Sequence, residues 1–391
     1  MYIEREINDT FRKVNSIYSA IALVGPRQAG KTTFLKEHMK HLHSSYVLFD
    51  DPDARALFEE DIKKFEKQYI EGYDVTILDE VHYCKDAGMK LKYLIDKGRK
   101  IWATSSSETI LGKEVLSYLV GRISVIRLFQ FSLREFLKAK GQKEFTPKIL
   151  ERNIWEHLTC GGYPKAVTTE DFELKKLILR DLHETILLKD VARAFSIDDT
   201  DTLEELTRYL SVNIGNVISY DNVSRDLKIS FQTLKKYLGA LEKSYVIVRL
   251  QPFYTNKTKE ITKQPKIYFV DTGLRNVVAK TFGNEPDGAL FENYVLSELI
   301  KMGFSPKYWR SKSKAEVDFI LEKEGNVIPV EVKMNADAHR VERSLHSFIE
   351  TYKPKKALII SYRGPKSSMN INGCAITFTD AFNMKDALKV Q

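Results

Sequence analysis

Residues 25–32 read GPRQAGKT and lie directly between a short apolar run and a stretch of helical character. The spacing, G-x-x-x-x-G-K-[ST], is typical of a loop whose backbone N–H groups wrap phosphate oxygens. Its glycines permit a tight backbone path, and its lysine and threonine supply a cation and a hydroxyl. The segment therefore predicts a strand, a phosphate-binding loop and a helix, in that order.

Apolar runs of strand length recur through the first third of the chain. They lie at residues 21–24, 46–49, 75–78, 101–104 and 123–128, and helical stretches separate them. The runs are apolar on both faces, which is typical of parallel strands covered by helices on each side. We therefore predict an α/β fold with a five-stranded parallel sheet.

Composition limits the remaining possibilities. A length of 391 residues predicts two to three domains, and 43% hydrophobic residues can form more than one core. The apolar runs are too short to span a membrane, so we expect no membrane association. Three scattered cysteines and an N-terminus without a secretory pattern predict a reduced, cytoplasmic protein.

The pattern changes after the predicted sheet, and we expect three domains, at residues 1–160, 161–280 and 281–391. The second is helical and ends in a helix-turn-helix followed by two strands, which is the order of a winged helix. Between Lys228 and Lys266 it carries nine basic and two acidic residues, and the whole chain has a formal net charge of +8. The third has the order α-β-β-β-α-β.

The phosphate-binding loop predicts an ATP site with Mg²⁺. Lys31 would reach the β- and γ-phosphate oxygens, and the Thr32 hydroxyl would ligate the metal ion. The residues expected to bind the nucleotide from the loop are Gly25, Pro26, Arg27, Gln28, Ala29, Gly30, Lys31, Thr32 and Thr33.

Two acidic residues follow the third apolar run, at the sheet edge where ligands of open α/β folds bind. Asp79 is expected to hold Mg²⁺, and Glu80 to orient and deprotonate the attacking water. Alternatively, both acids cap the next helix. His82 completes a DExH-like string, but we expect it to lie near the phosphates or to be a packed surface residue.

Two further residues are candidates for contact with the γ-phosphate. Ser105 begins a serine-rich strand end, residues 105–107, which otherwise caps a helix before Glu108. Arg122 follows a glycine and precedes the fifth strand. It is either an arginine finger for a neighbouring subunit or a surface residue at a helix end.

These motifs, together with LVGR at 119–122, FQFSLREFL at 129–137 and GGYP at 161–164, resemble the bacterial and archaeal AAA-type ATPases that carry a C-terminal domain of unknown function. The resemblance covers nearly the whole chain. It implies a DNA-binding-like helical part and a restriction-endonuclease-like C-terminal fold. With Arg122, it also implies a homo-oligomer, for which a hexameric ring is one form.

The C-terminal region contains the pattern D…E-x-K at Asp318, Glu331 and Lys333. A hairpin turn at residues 324–325 would place Asp318 opposite Glu331, whereas a turn at 325–326 would place it opposite Lys333. Either register keeps all three side chains on one face. With Glu292 from the preceding helix, these residues predict a metal-dependent nuclease site. The alternatives are a solvated hairpin face or a degenerate fold that only binds.

The combined interpretation is an ATP- and Mg²⁺-dependent ATPase that remodels or cleaves DNA. The alternative is a nucleotide-gated switch whose tail binds DNA or a protein without cutting. The basic segment favours DNA as the partner, because lysine clusters gain affinity by releasing counterions from phosphates. The sequence identifies no protein partner.

Overall fold

The computed structural model of the chain describes residues 2–106, 118–255, 258, 260, 263–323, 325–338 and 340–389. The chain forms two compact units. The first extends to Phe131 and includes Lys243–Tyr245. The second comprises Ser132–Glu242 and the residues described from Val246 onward. The three predicted domain boundaries therefore stay predictions.

The first unit is a parallel sheet with helices on both faces. Its strands are β1 (Ala20–Val24), β2 (Ser44–Leu48), β3 (Val75–Asp79), β4 (Ile101–Ser105) and β5 (Ile123–Arg127). Its helices are α1 (Asn8–Ile17), α2 (Lys31–Met39), α3 (Pro52–Glu60), α4 (Ile62–Tyr69) and α5 (Ala87–Asp96), with a 3₁₀ turn at Val81–Tyr83. The strand order is β2-β3-β4-β1-β5, which confirms the predicted five-stranded parallel sheet.

The central strands are apolar on both faces because each face covers a different core. In β1, Ala20 and Ala22 pack on one side, and Ile21 and Leu23 pack on the other. Successive side chains of a strand point to opposite faces, so a buried strand needs an unbroken apolar run. Every residue of β1, β3 and β4 is buried accordingly.

The register of the central strands brings three chain segments to one sheet edge. Val24, at the end of β1, pairs with Ser105 of β4. Leu78 of β3 pairs with Ala103, so the next residue, Asp79, lies beside Thr104. The phosphate-binding loop and the acidic pair therefore emerge at the same edge.

The second unit begins with helices. They are α6 (Leu133–Ala139), α7 (Pro147–Cys160), α8 (Pro164–Thr168), α9 (Phe172–Thr185), a π-helical segment (Ile186–Arg193), α10 (Thr200–Val212), α11 (Tyr220–Asp226) and α12 (Phe231–Lys243). An antiparallel pair follows, β6 (Ile247–Leu250) with β7 (Lys266–Phe269), and then α13 (Thr272–Val278). Three helices, α10 to α12, precede this pair where the sequence predicted two, and the interpretation of the segment as a winged helix stays a prediction.

A six-stranded mixed sheet forms the C-terminal part, with strand order β12-β13-β11-β10-β9-β8. Its elements are α14 (Gly288–Lys301), β8 (Lys307–Arg310), β9 (Glu316–Lys323), β10 (Asn326–Asn335), α15 (Arg343–Tyr352), β11 (Lys356–Arg363), β12 (Ser367–Ile371), β13 (Cys374–Thr379) and α16 (Met384–Ala387). The predicted order is present. The last two strands and the last helix were not predicted, because the edge strand β12 is polar and partly exposed.

Within the described parts of the chain, no helix is both long and apolar enough to cross a membrane.

Gly273 shows how tightly the helices of the second unit pack. A Cβ atom at this position would lie 2.4 Å from the carbonyl carbon and oxygen of Cys160. Asp271 caps the same helix, accepting from Leu274 N at 3.0 Å, and also accepts from Gly162 N at 2.8 Å. The start of α13 therefore rests directly on the end of α7.

We predict that Gly273→Ala lowers the free energy of unfolding by about 1–3 kcal/mol, because a methyl group there must displace backbone. Gly239→Ala, within α12, is the matched control. Its Cβ meets no atom within 4 Å, so the better helix propensity of alanine should stabilise the protein by roughly 0.5–1 kcal/mol. Urea denaturation measures both. Equal effects of the two substitutions would contradict the packing argument.

Candidate functional site

The phosphate-binding loop has the backbone conformation that its glycines predict. Gly25 has φ 148° and Gly30, which precedes α2, has φ 97°. A Cβ atom at Gly25 would lie 2.0 Å from the carbonyl oxygen of Leu128, so only glycine fits there. Lys31 is 5% exposed, and its ammonium donates to the carbonyls of Gly25 and Pro26, both at 3.0 Å. The loop therefore curves around its own lysine.

Thr32 and Asp79 meet beside this loop. The Thr32 hydroxyl lies 3.0 and 2.9 Å from the two Asp79 carboxylate oxygens. Tyr46 also donates to Asp79, at 2.6 Å, as does Thr104. Burial and the Asp79 carboxylate raise the pKa of Tyr46, so this phenol remains a donor at neutral pH. Oxygen donors of this kind fit Mg²⁺, and Thr32 and Asp79 would hold it.

Glu80 lies in the left-handed region, with φ 58°, as β3 ends. Its N–H donates to the Thr104 hydroxyl at 2.9 Å, and its carboxylate accepts from the N–H of Ser106 at 3.2 Å. The Glu80 side chain does not cap the following turn. Within the described part of the chain, the Asp79 carboxylate accepts from hydroxyl groups of α2, β2 and β4. The geometry thus gives the helix-cap alternative no support.

His82 connects Glu80 to Ser105. Its Nδ1 lies 3.2 Å from a Glu80 carboxylate oxygen and 3.1 Å from the Ser105 hydroxyl. Burial lowers the pKa of His82 and outweighs the opposing effect of Glu80. The ring is therefore neutral at neutral pH, and with its proton on Nδ1 it donates to Glu80.

Arg122 lies away from this group of residues. It directly precedes β5, whose first residue, Ile123, pairs with Ala20 at the start of β1. This is the sheet edge opposite the loop. Its side chain is half exposed and pairs with Asp96 at 2.7 Å. Ser107 and Glu108, which belong to the predicted serine-rich strand end, lie outside the described residues.

Sequence reasoning missed three residues near the loop. Tyr46 and Thr104 contact Asp79, and the buried guanidinium of Arg5 donates to the carbonyls of Ala29 at 2.9 Å and Phe129 at 2.6 Å. Thr104 could have been found from the sequence, because it ends the apolar run 101–104 that forms most of β4, the strand next to β3. Tyr46 and Arg5 belong to no motif.

Asp318 and Glu331 lie on adjacent strands of the second unit. Asn326 pairs with Lys323 and Val330 with Phe319, which is the predicted register that places Asp318 opposite Glu331. Asp318 accepts from Val332 N at 2.7 Å. The residues of the predicted D…E-x-K pattern therefore do meet on one face of the hairpin.

Protein groups hold both oxygens of Glu331, which is 2% exposed. Lys333 Nζ lies 3.1 Å from one oxygen, and the Ser344 hydroxyl donates to the other at 3.1 Å. Burial raises the pKa of Asp318 well above its ordinary value, and the charges of Glu292 and Glu331 raise it further.

Glu292 accepts from two groups of β7. Lys266 Nζ lies 3.3 Å from its Oε1, and the Tyr268 hydroxyl donates to the same atom. Lys266 also lies 2.5 Å from Glu316. Among the described residues, no group of three or more His, Cys, Asp or Glu side chains is placed to hold a metal ion. As arranged, these carboxylates do not fit a shared divalent ion.

We predict that Lys31→Ala weakens ATP binding by at least about tenfold, because a charge-assisted contact to phosphate is lost. Isothermal titration with Mg²⁺ and ATP measures this. Lys63→Ala, an exposed lysine of α4, is the control and should bind ATP as the natural chain does. Retained tight binding by Lys31→Ala would refute the assignment of the loop.

Three domain families match the chain. A model described as AAA domain matches residues 18–137. A domain of unknown function, DUF8612, matches residues 151–285, and another, DUF4143, matches residues 287–378.

Similar whole chains occur in bacteria and archaea. An uncharacterized protein of Haemophilus influenzae is 25% identical over 349 residues, covering 82% of this chain and 84% of that protein. One of Methanocaldococcus jannaschii is 26% identical over 353 residues, covering 85% and 79%. Among solved structures, a Walker-type ATPase of Pyrococcus abyssi matches with TM-score 0.48 and 15% identity, over 71% of this chain and 96% of that one. The domain matches confirm the AAA-type and C-terminal parts of the resemblance seen in the motifs, and the chain carries an AAA domain at residues 18–137 and a C-terminal DUF4143 domain at residues 287–378.

Proposed function

We propose that the first unit hydrolyses ATP with Mg²⁺, and that the nucleotide state controls DNA binding by the second unit. One observation carries the hydrolysis proposal: the hydroxyl of Thr32 and the carboxylate of Asp79 are in contact beside the phosphate-binding loop. Both groups are hard oxygen donors, Thr32 from the start of α2 and Asp79 from the end of β3, and they meet at the sheet edge where ligands of α/β folds bind.

In this proposal the loop N–H groups and Lys31 bind the β- and γ-phosphates, and Thr32 and Asp79 hold Mg²⁺. The ion, when bound, supplies positive charge to the phosphate oxygens. Glu80 orients the attacking water and accepts its proton. Three contacts position Glu80 for this role. Its backbone N–H donates to the Thr104 hydroxyl, and its carboxylate accepts from the Ser106 N–H and contacts the His82 ring.

His82 has a positioning role in the same proposal. It contacts both Glu80 and Ser105, and Ser105 stands at the end of β4 beside the strand that leads into the loop. Movement of Ser105 towards a γ-phosphate would therefore alter the hydrogen bond between His82 and Glu80. This supports Ser105 as the residue that reports the nucleotide state to the catalytic acid.

Arg122 is proposed to act on a neighbouring copy of the chain. A strand of five residues spans roughly 16 Å, which is longer than an arginine side chain, and Arg122 lies at the far edge from its own loop. Its ion pair with Asp96 is exposed and contributes little, so it can break on assembly. These features support a homo-oligomer, for which a hexameric ring is one form.

The basic segment, Lys228–Lys266, supports DNA as the partner. Fewer of its positive charges face solvent than the count of basic residues predicts. Arg249 pairs with Glu242, and Lys266 is buried between carboxylates. Lys257 and Lys259 lie outside the described residues. Lys228 and Lys235 are exposed around α12, where Phe231 is 43% exposed beneath the Lys235 ammonium. A cation above an exposed ring suits contact with a nucleic acid.

The second candidate function, a nucleotide-gated switch that binds without cutting, is favoured by the contacts of the C-terminal carboxylates. Glu292, Asp318 and Glu331 each accept hydrogen bonds or ion pairs from protein groups. Protein groups thus compensate these carboxylates without a metal ion, which favours a tail that does not cut.

We predict that Glu80→Gln reduces ATP turnover by at least about 100-fold, because the general base is lost. ATP affinity should change little, since Glu80 is not a phosphate ligand in this proposal. Phosphate release and nucleotide titration measure the two quantities. Glu60→Gln, at the exposed end of α3, is the control. Undiminished turnover in Glu80→Gln would remove this residue from the mechanism.

We predict that duplex DNA stimulates ATP turnover and that binding weakens steeply with salt. Lys235→Ala should lower the slope of log affinity against log salt by roughly 0.9, the value for one lost phosphate contact. Fluorescence anisotropy with labelled duplex measures the slope, and Lys63→Ala in the first unit controls for net charge. An unchanged slope would exclude Lys235 from the interface, and the absence of DNA binding would favour a protein partner.

A further inference from the structure

Lys266 lies among the carboxylates of the C-terminal unit. Its ammonium is 2.5 Å from Glu316 Oε1 and 3.3 Å from Glu292 Oε1, and its side chain is 3% exposed. The D…E-x-K pattern does not contain this residue, which reaches the cluster from β7. A lysine is almost never buried unless it is paired. Here the pairing is with two acids at once.

The backbone holds Lys266 in this place from both sides. It pairs with Leu250 within the β6–β7 ladder, and Val217 bridges to it from the other side. Tyr268, two residues further along β7, points to the same acid and donates to Glu292 Oε1. The ammonium therefore reaches the cluster from a rigid strand.

The same oxygen atoms would have to serve a divalent ion. Glu292 Oε1 already accepts from Lys266 and Tyr268. Asp318 Oδ2 accepts from Val332 N, and both oxygens of Glu331 have donors. An ion entering here must displace Lys266, because two cations sharing one carboxylate oxygen repel each other.

We propose that Lys266 is the built-in cation of this cluster and that it excludes divalent metal ions from Glu292 and Asp318. Its ammonium contacts Glu292 and Glu316 and supplies the positive charge that these carboxylates would otherwise draw from a metal ion. Removing it leaves the cluster without this counter-ion, and uncompensated carboxylates attract a divalent cation. This proposal does not depend on ATP hydrolysis.

The test is Mn²⁺ binding to the full chain without nucleotide, measured by electron paramagnetic resonance of the free ion. Lys266→Met should bind one Mn²⁺ at least about tenfold more tightly than the natural chain. The added Asp318→Asn substitution should abolish that gain, which separates this site from Mn²⁺ held at Thr32 and Asp79. Lys301→Met is the matched control, because Lys301 is also a buried lysine, with its ammonium 2.8 Å from Glu298 and outside the cluster of Glu292, Glu316 and Asp318, and should gain no Mn²⁺ site.

Two results would overturn the proposal. In the first, the natural chain binds Mn²⁺ as tightly as Lys266→Met does, and the Asp318→Asn substitution abolishes that binding. The other is a folded Lys266→Met chain that gains no Mn²⁺. If Lys266→Met does not fold in metal-free buffer, it is refolded with Mn²⁺ or with K⁺. Recovery with Mn²⁺ alone supports the proposal, and failure to recover with Mn²⁺ contradicts it.

Discussion

The parallel pairing of β3, β4 and β1 is the constraint on which the nucleotide site depends. It places Thr104 between Asp79 and the backbone of Glu80, and one hydroxyl contacts both. The same register sets Ser105 beside Val24, where the phosphate-binding loop begins. A slip of one residue would turn Thr104 to the other face of the sheet and would break both contacts together. The buried apolar residues of these strands therefore determine where Asp79, Thr104 and Ser105 lie at the edge.

Much of the first unit could be predicted because its signals are local. A buried parallel strand is a continuous apolar run, and the phosphate-binding loop is a contiguous motif, so both appear in the sequence without knowledge of the fold. Asp79, Glu80 and Ser105 follow from strand ends alone. Tyr46 and Arg5 could not be predicted, since each reaches the site from an element that carries no motif. His82 was visible in the sequence, but its contact with both Glu80 and Ser105 depends on how the 3₁₀ turn folds back against β4.

The second unit was less predictable because its contacts join distant segments. The alternation of side chains along a strand placed Asp318, Glu331 and Lys333 on one face of the hairpin, but it allowed two registers between β9 and β10. The two strands adopt the register that places Asp318 opposite Glu331. Nothing local indicates that Lys266 pairs with Glu292, which is 26 residues away, and with Glu316, which is 50 residues away. The sequence count treated Lys266 as part of a basic surface, whereas it is buried within an acidic cluster. The charge of a residue therefore indicates what it binds only when it is known whether the side chain is buried or exposed.

The two acidic sites differ in what holds their carboxylates, and this difference decides what each can bind. Asp79 accepts from hydroxyl groups, which orient the carboxylate and leave its negative charge uncompensated. Glu292 and Glu331 also accept from hydroxyl groups, but each pairs in addition with an ammonium group, which cancels its charge. A divalent cation gains most of its binding energy from uncompensated negative charge. A carboxylate that accepts only from hydroxyl groups therefore keeps the charge that a metal ion needs, whereas a carboxylate paired with an ammonium group does not. Two carboxylate clusters in one chain can therefore have opposite affinities for the same ion, although their acidic residues alone would predict two metal sites.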